Sequence, residues 1–310
     1  MSQPIAAPVV SVRPVLLPAP AGRGADLQVR VSAPTTGDAL PVIVFSHGFG
    51  ESLDGYAPLV EHWAAHGFVV VQPTHLDSRR YDLPADDPRR PLIWWSRLED
   101  VRSVLDRLDL AEAAVPGLAG RVDRSRIAVA GHSWGAQTVG LLLGARVRDA
   151  HGVPGADLSD PRVAAGVLLS VAGTGGTDLS PFAAEHLPFM SPDFSAMTTP
   201  ALIVAGDADR SALTVRGPDW FTDAYRLSPG PKSLLTLFGA EHSLGGITGY
   251  TVTETTDENP RRVALIQRLG LAYLRRVLGS GALDPADPAW SAATADPGLG
   301  ADALGRLESR

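Results

Sequence analysis

No cysteine occurs anywhere in the 310 residues. That excludes disulfides, thiolate metal sites and a cysteine nucleophile. Positive charge is also in short supply: 27 Lys and Arg against 34 Asp and Glu leave a net charge of −7. Such a chain offers little to a nucleic-acid backbone or an anionic membrane surface, so neither is expected as a partner. Its arginine pairs, Arg79-Arg80, Arg89-Arg90 and Arg275-Arg276, are short and read as solvated surface. Apolar runs all fall short of the ~18 residues that span a bilayer, so no integral membrane contact is expected. The opening MSQPIAAPVV has no cationic stretch and is interrupted by proline, so no secretory leader is expected in it. The expected location is therefore the cytoplasm, with secretion after removal of a leader as the alternative.

What remains is an ordinary globular composition, 45% hydrophobic and 20% charged. From residue 41 onward, short apolar runs alternate with amphipathic stretches. The runs are PVIVFS (41–46), FVVVQ (68–72), RIAVA (126–130), VAAGVLLSV (163–171), PALIVA (200–205) and KSLLTLF (232–238). Each is short, continuous and rich in branched residues, as a strand buried on both faces should be. Helices are expected between them at roughly 55–66, 94–110, 134–146, 217–227 and 260–278. The last begins with Pro260 and stops at Gly279. Upstream, 9–17 and 26–33 alternate across a turn-rich link and predict an antiparallel hairpin at a sheet edge.

The fold class is thus α/β, a mostly parallel doubly wound sheet with an antiparallel N-terminal edge. One domain is expected over 1–279. Segment 173–198 lacks periodicity and is placed as a small lid insertion over the strand ends. Residues 280–310, rich in Ala, Asp, Pro and Gly, are expected as a loosely packed tail. No internal repeat is present.

Between the strand at 126–130 and the following helix stands Gly131-His132-Ser133-Trp134-Gly135, a G-x-S-x-G pentapeptide. In that context the serine sits on a strained strand-to-helix turn with its hydroxyl exposed above the sheet. Side chains at the two glycine positions would collide with the crossing elements. A helix N-terminus beside Ser133 also favours developing negative charge.

Serine is inert at its free pKa and needs a base in hydrogen-bond reach. Reactive groups in open α/β sheets gather at the carboxyl ends of strands, and His47, His75 and His242 directly follow one. The chain order serine, acid, histidine selects His242, in GAEHS just past the last strand. His132 is expected to point down into the fold and His47 to brace its loop, while His62, His66, His151 and His186 read as surface or satisfied polar groups. For the acid, Gly206-Asp207-Ala208-Asp209 follows PALIVA immediately. Asp209 is preferred, because the further residue reaches over the edge; Asp207 and Asp178 stay as alternatives. Oxyanion donors would be the backbone N–H of Trp134 and that of Phe49, in the His47-Gly48-Phe49-Gly50 loop after the strand at 41–46. Trp94, Trp95, Trp134, Phe182 and Phe189 could line an apolar acyl or aromatic pocket.

Taken together, GHSWG, HGFG, GDAD and GAEHS, each in its place between about residues 10 and 279, resemble the α/β-hydrolase superfamily. Within it the chain resembles the branch of cutinase-like polyester hydrolases, dienelactone-hydrolase-like esterases, chlorophyllases and plasma-type platelet-activating-factor acetylhydrolases. His47-Gly48-Phe49 stands where cutinase-like enzymes have Gly followed by an aromatic whose N–H serves the oxyanion hole. VIVFSHG and GFVVVQP are similar to the acetylhydrolase and chlorophyllase pattern. That pattern takes its acid after the strand ending here in VLLSVAG, where this chain has no Asp; an acid at Asp209 is the cutinase-like arrangement. The resemblance implies a serine carboxylic ester hydrolase acting on hydrophobic or aromatic small-molecule esters, lipase- or cutinase-like, without cofactor or metal. An amidase, peptidase or cofactor-free perhydrolase on the same triad is the nearer alternative. A catalytically silent ligand-binding protein of the same fold is the more distant one.

Overall fold

A computed structural model describes residues 6–84, 86–251, 256–279, 288–299 and 303–310. The chain enters through β1 (Val9–Leu17) and β2 (Leu27–Pro34), the antiparallel hairpin expected at an edge. β3 (Leu40–Ser46), α1 (Ala57–Ala65) and β4 (Val69–Pro73) follow. After a polar connection, α2 (Ile93–Asp106) and α3 (Leu108–Ala113) divide the single helix expected at 94–110, with Arg107 in non-helical backbone between them. β5 (Val122–His132) and α4 (Trp134–Leu142) flank the pentapeptide serine. Next come β6 (Arg146–Val147), β7 (Val163–Leu169), α5 (Pro181–His186) and β8 (Pro192–Asp193), where β6 and β8 form a separate two-stranded ribbon. β9 (Ala201–Gly206) leads through a 3₁₀ turn at Pro218–Thr222 into α6 (Asp223–Leu227), so the helix expected over 217–227 is α-helical only in its second half. β10 (Lys232–Leu237) and α7 (Pro260–Gly279) complete the expected series.

Nine strands form one sheet in the order β1-β2-β4-β3-β5-β7-β9-β10, with a final strand beyond β10. Within that order, β4, β3, β5, β7, β9 and β10 pair in parallel with one another, while β2 and the final strand are antiparallel to their neighbours. Alternate residues explain why their apolar runs are continuous. Val42 and Val44 pack into a core with α2 and α4, whereas Ile43 and Phe45 pack into one with α1 and α7. Helices on both faces bury β3, β4 and β9 almost throughout and most of β5, β7 and β10.

The stretch 280–310 is where the structure corrects the sequence reading. Of its described part, α8 (Pro288–Thr294) buries Trp290 against α7, its ring 5.9 Å from that of Tyr273. β11 (Gly305–Ser309) adds an antiparallel strand to β10, from Ser233↔Ser309 to Leu237↔Gly305. The physical reason is that β10 would otherwise present an open row of N–H and C=O groups. Backbone pairing fills that row without needing the apolar run by which strands were recognised. Among the described residues, no helix is long and apolar enough to cross a membrane.

Candidate active site

The β5–α4 turn is tightly determined by its neighbours. Ser133 has φ 55° and ψ −121°, a strained conformation for a residue with a Cβ. A Cβ on Gly131 would come within 2.4 Å of the Gly135 backbone, and one on Gly135 within 2.0 Å of the Ser46 carbonyl. Only glycine lets β3, β5 and α4 approach this closely. The serine hydroxyl is thereby held at the N-terminus of α4.

His242 arrives from the loop after β10 and Asp209 from the loop after β9. The Ser133 hydroxyl donates to His242 Nε2 at 2.9 Å, and His242 Nδ1–H donates to Asp209 at 2.9 Å (Oδ2) and 3.2 Å (Oδ1). Asp209 is fully buried, while 42% of the His242 side chain is exposed. The carboxylate is therefore screened from water while the imidazole is partly open to it. Asp207, two residues earlier, accepts the Gly239 N–H at 2.6 Å and braces the base of the His242 loop. Asp178 lies elsewhere, bonded to Thr174 and Arg216.

Of the expected oxyanion residues, Trp134 follows Ser133 directly and Phe49 stands in the loop after β3. A Cβ on Gly48 would lie 3.6 Å from the Ser133 Cβ, so the His47–Gly50 loop lies against the nucleophile. Gly48 N–H is already committed to Tyr56 Oη at 3.0 Å. Phe49 and Trp134 pack ring to ring at 4.6 Å. His47 braces the loop as expected: its Nδ1–H donates to the Gly48 carbonyl at 2.7 Å and its Nε2 accepts the His75 N–H at 3.0 Å.

His75, although at a strand end, is no candidate base. It is fully buried between Ser46 Oγ at 2.9 Å and Asp100 at 3.0 Å, and burial holds its pKa well below the usual value. His132 does point inward. Its Nδ1 accepts from the Tyr56 hydroxyl at 2.9 Å and its Nε2–H donates to the His242 carbonyl at 2.7 Å.

Sequence reasoning missed four positions that hold these groups. Tyr56 and Arg97 reach the oxyanion loop, Asp77 pairs with Arg97, and Asp257 accepts both Glu241 N–H (2.7 Å) and Gly245 N–H (2.9 Å) around His242. Asp77 lies in the polar connection after β4, yet its side chain is only 5% exposed because it packs against Arg97.

A cleft of about 960 Å³ opens beside the oxyanion residues. Phe49, Trp94, Trp134, Phe182 and Phe189 line it, with Arg79, Arg90 and Glu185 among its polar residues. Trp95 does not line it; 40% exposed, it stands edge-on against Trp94 at 5.7 Å. A second cavity of about 780 Å³ shares Trp94, Pro188 and Phe189 with the first as a common wall. Among the described residues, no group of three or more His, Asp or Glu could hold a metal ion.

The mostly parallel sheet with helices on both faces is the expected α/β class, and the strand-turn-helix around Ser133 resembles the nucleophile elbow of the α/β-hydrolases. A family model described as chlorophyllase matches residues 19–146. Over 139 residues the chain is 27% identical to the platelet-activating factor acetylhydrolase of Cavia porcellus, covering 34% of this chain and 32% of that protein. It thus spans about a third of the length of that curated relative. These similarities relate the chain to the α/β-hydrolase esterases. The family match includes Phe49, Ser133 and Trp134 but ends before Asp209 and His242, so those two stand on their geometry alone.

Proposed function

We propose that this protein is a carboxylic ester hydrolase working through an acyl-serine intermediate. The observation that carries the reading is the continuous hydrogen-bonded line from Ser133 Oγ through the His242 ring to the buried Asp209 carboxylate. His242 Nε2 takes the hydroxyl proton as Ser133 attacks the ester carbonyl. Asp209 holds the Nδ1–H tautomer and stabilises the imidazolium that forms. Negative charge on the carbonyl oxygen is met by the Phe49 and Trp134 N–H groups. The imidazolium then protonates the departing alcohol, and water, activated by the same ring, releases the acid.

The apolar cleft supports hydrophobic or aromatic esters, lipase- or cutinase-like, as substrates. We place the acyl or aromatic group against Trp94, Trp134 and Phe189, with segment 173–198 forming one wall as a lid. One α/β-hydrolase domain accounts for the site, small-molecule esters are its partners, and no cofactor enters the cycle.

A fluorophosphonate probe tests the mechanism, with hydrolysis of p-nitrophenyl esters measured alongside matched anilides. Labelling and ester turnover in the wild-type protein, both lost in Ser133→Ala, are expected. Absence of labelling in the wild type would instead favour a binding protein, and preference for the anilides an amidase.

A further inference from the structure

The Gly48–Phe49 peptide carries an acceptor and a donor on one rigid plane. Because that plane is trans, its C=O and N–H point in opposite directions. Rotation of the plane about its flanking Cα atoms would turn the Phe49 N–H away from the serine and present a carbonyl there instead. Whatever anchors the Gly48 carbonyl therefore fixes the direction of the Phe49 N–H.

Two donors anchor it. His47 Nδ1–H reaches the Gly48 oxygen at 2.7 Å and Arg97 Nη2 reaches it at 3.2 Å, while Arg97 Nη1 holds the preceding His47 carbonyl at 2.8 Å. Arg97 is itself clamped by Asp77, Nε to Oδ1 at 2.9 Å and Nη2 to Oδ2 at 2.6 Å. Both side chains are buried, with 1% and 5% exposed. Burial by itself would raise the Asp77 carboxyl, but the Arg97 charge and hydrogen bond outweigh it and hold the group down at about 2. The guanidinium carbon also lies 5.9 Å from the centre of the Trp134 ring, the residue carrying the second donor. One buried fork thus holds the Gly48 carbonyl and lies over the Trp134 ring. A lysine could not reproduce it, since it lacks the planar pair of donors.

We infer that Arg97, oriented by Asp77, is a positioning residue that locks the Gly48–Phe49 peptide with its N–H aimed at the oxyanion. The inference rests on the acyl-transfer reading of the site. Its consequence is selective: a peptide free to turn weakens the transition state and leaves ground-state binding of the ester in the cleft untouched.

The test compares wild type, Arg97→Gln, Arg97→Lys, Asp77→Asn and the double variant Asp77→Asn/Arg97→Gln. It measures kcat and KM on one p-nitrophenyl ester, inhibition by a trifluoromethyl ketone of matching acyl chain, and thermal unfolding. Arg97→Gln should lower kcat on the order of 10- to 100-fold, with KM within about threefold and inhibitor affinity falling in step with kcat. Arg97→Lys should recover only part of the loss. The double variant, which leaves no unpaired buried charge, should fold and be no slower than Arg97→Gln, because both residues act through one carbonyl. Folded variants with wild-type kcat, or a loss carried by KM alone, would overturn the inference while the esterase reading stands. A wild-type protein that neither labels nor turns over would sink both.

Discussion

His132 Nε2–H donates to the backbone carbonyl of His242 at 2.7 Å. The neighbour of Ser133 thus holds the main chain of His242, and its other nitrogen carries the line onward. Nδ1 accepts from Tyr56, whose oxygen in turn accepts the Gly48 N–H. Ser170 Oγ adds a longer bond of 3.4 Å to the same His242 carbonyl. The pentapeptide, the His47–Gly50 loop and the His242 loop are therefore tied by one chain of hydrogen bonds. Tyr56→Phe removes the hydroxyl from its centre and leaves the Gly48 N–H and His132 Nδ1 without their partner. Each such buried orphan costs ~1–3 kcal/mol. Thermal unfolding should show a loss of ~2–6 kcal/mol for the two together. Ester kcat should fall as well, and an unchanged kcat in the folded variant would mean the chain is structural only.

The assignment of the acid separates cleanly by substitution. Asp209→Asn keeps the volume but favours the wrong imidazole tautomer, and in a well-studied serine protease the equivalent change costs about 10⁴ in kcat. A loss of that order is expected here. Asp207→Asn still accepts the Gly239 N–H through its amide oxygen, so activity within about tenfold of wild type is expected. The reverse ranking in steady-state kinetics would transfer the role to Asp207.

Much of this was legible in the chain because its signals are local. Buried parallel strands are continuous apolar runs, so β3, β5, β7, β9 and β10 could be read directly. The residues that follow them, Phe49, Ser133, Asp209 and His242, could then be placed at one rim. What could not be read is held by partners distant in sequence. Arg97 looks like any polar position of an amphipathic helix, and only the fold turns it towards the loop at 47–48. Tyr56 reaches His132 across 76 positions. β11, Gly305 to Ser309, is polar and joins the sheet through its backbone, so apolar patterning could not reveal it.

Trp290 tests the corrected account of the C-terminal segment. It is buried between Tyr273 and the Arg276 guanidinium, 5.4 Å above its ring. Removing a buried aromatic costs ~3–5 kcal/mol. Trp290→Ala should lower stability by about 3 kcal/mol in chemical denaturation and leave KM for small esters unchanged. A change below about 1 kcal/mol would return the segment to a loosely attached tail.

Acid sensitivity should come from the buried histidines. Burial, with a lesser contribution from neighbouring His242, lowers His132 to about 3, and burial likewise holds His47 well below its ordinary value. Both rings are neutral in the folded protein and take up a proton on unfolding at any pH below about 6.5. Their contribution to stability is complete above that pH and is lost as pH falls, for His132 down to about 3. Each adds a slope of ~1.4 kcal/mol per pH unit. His75 has the same sign, but Asp100, bonded to it and raised to about 7 by burial against the pull of Arg23, has the opposite one, so that pair largely cancels. Between pH 6 and 4 the unfolding free energy should therefore fall with falling pH, and His62, lowered to about 4 by burial, adds to the fall in the same direction. Replacing His132 by glutamine, which carries no titrating ring, should reduce the slope by ~1.4 kcal/mol per pH unit. A pH-independent unfolding free energy across that window would show that these rings are already protonated in the fold.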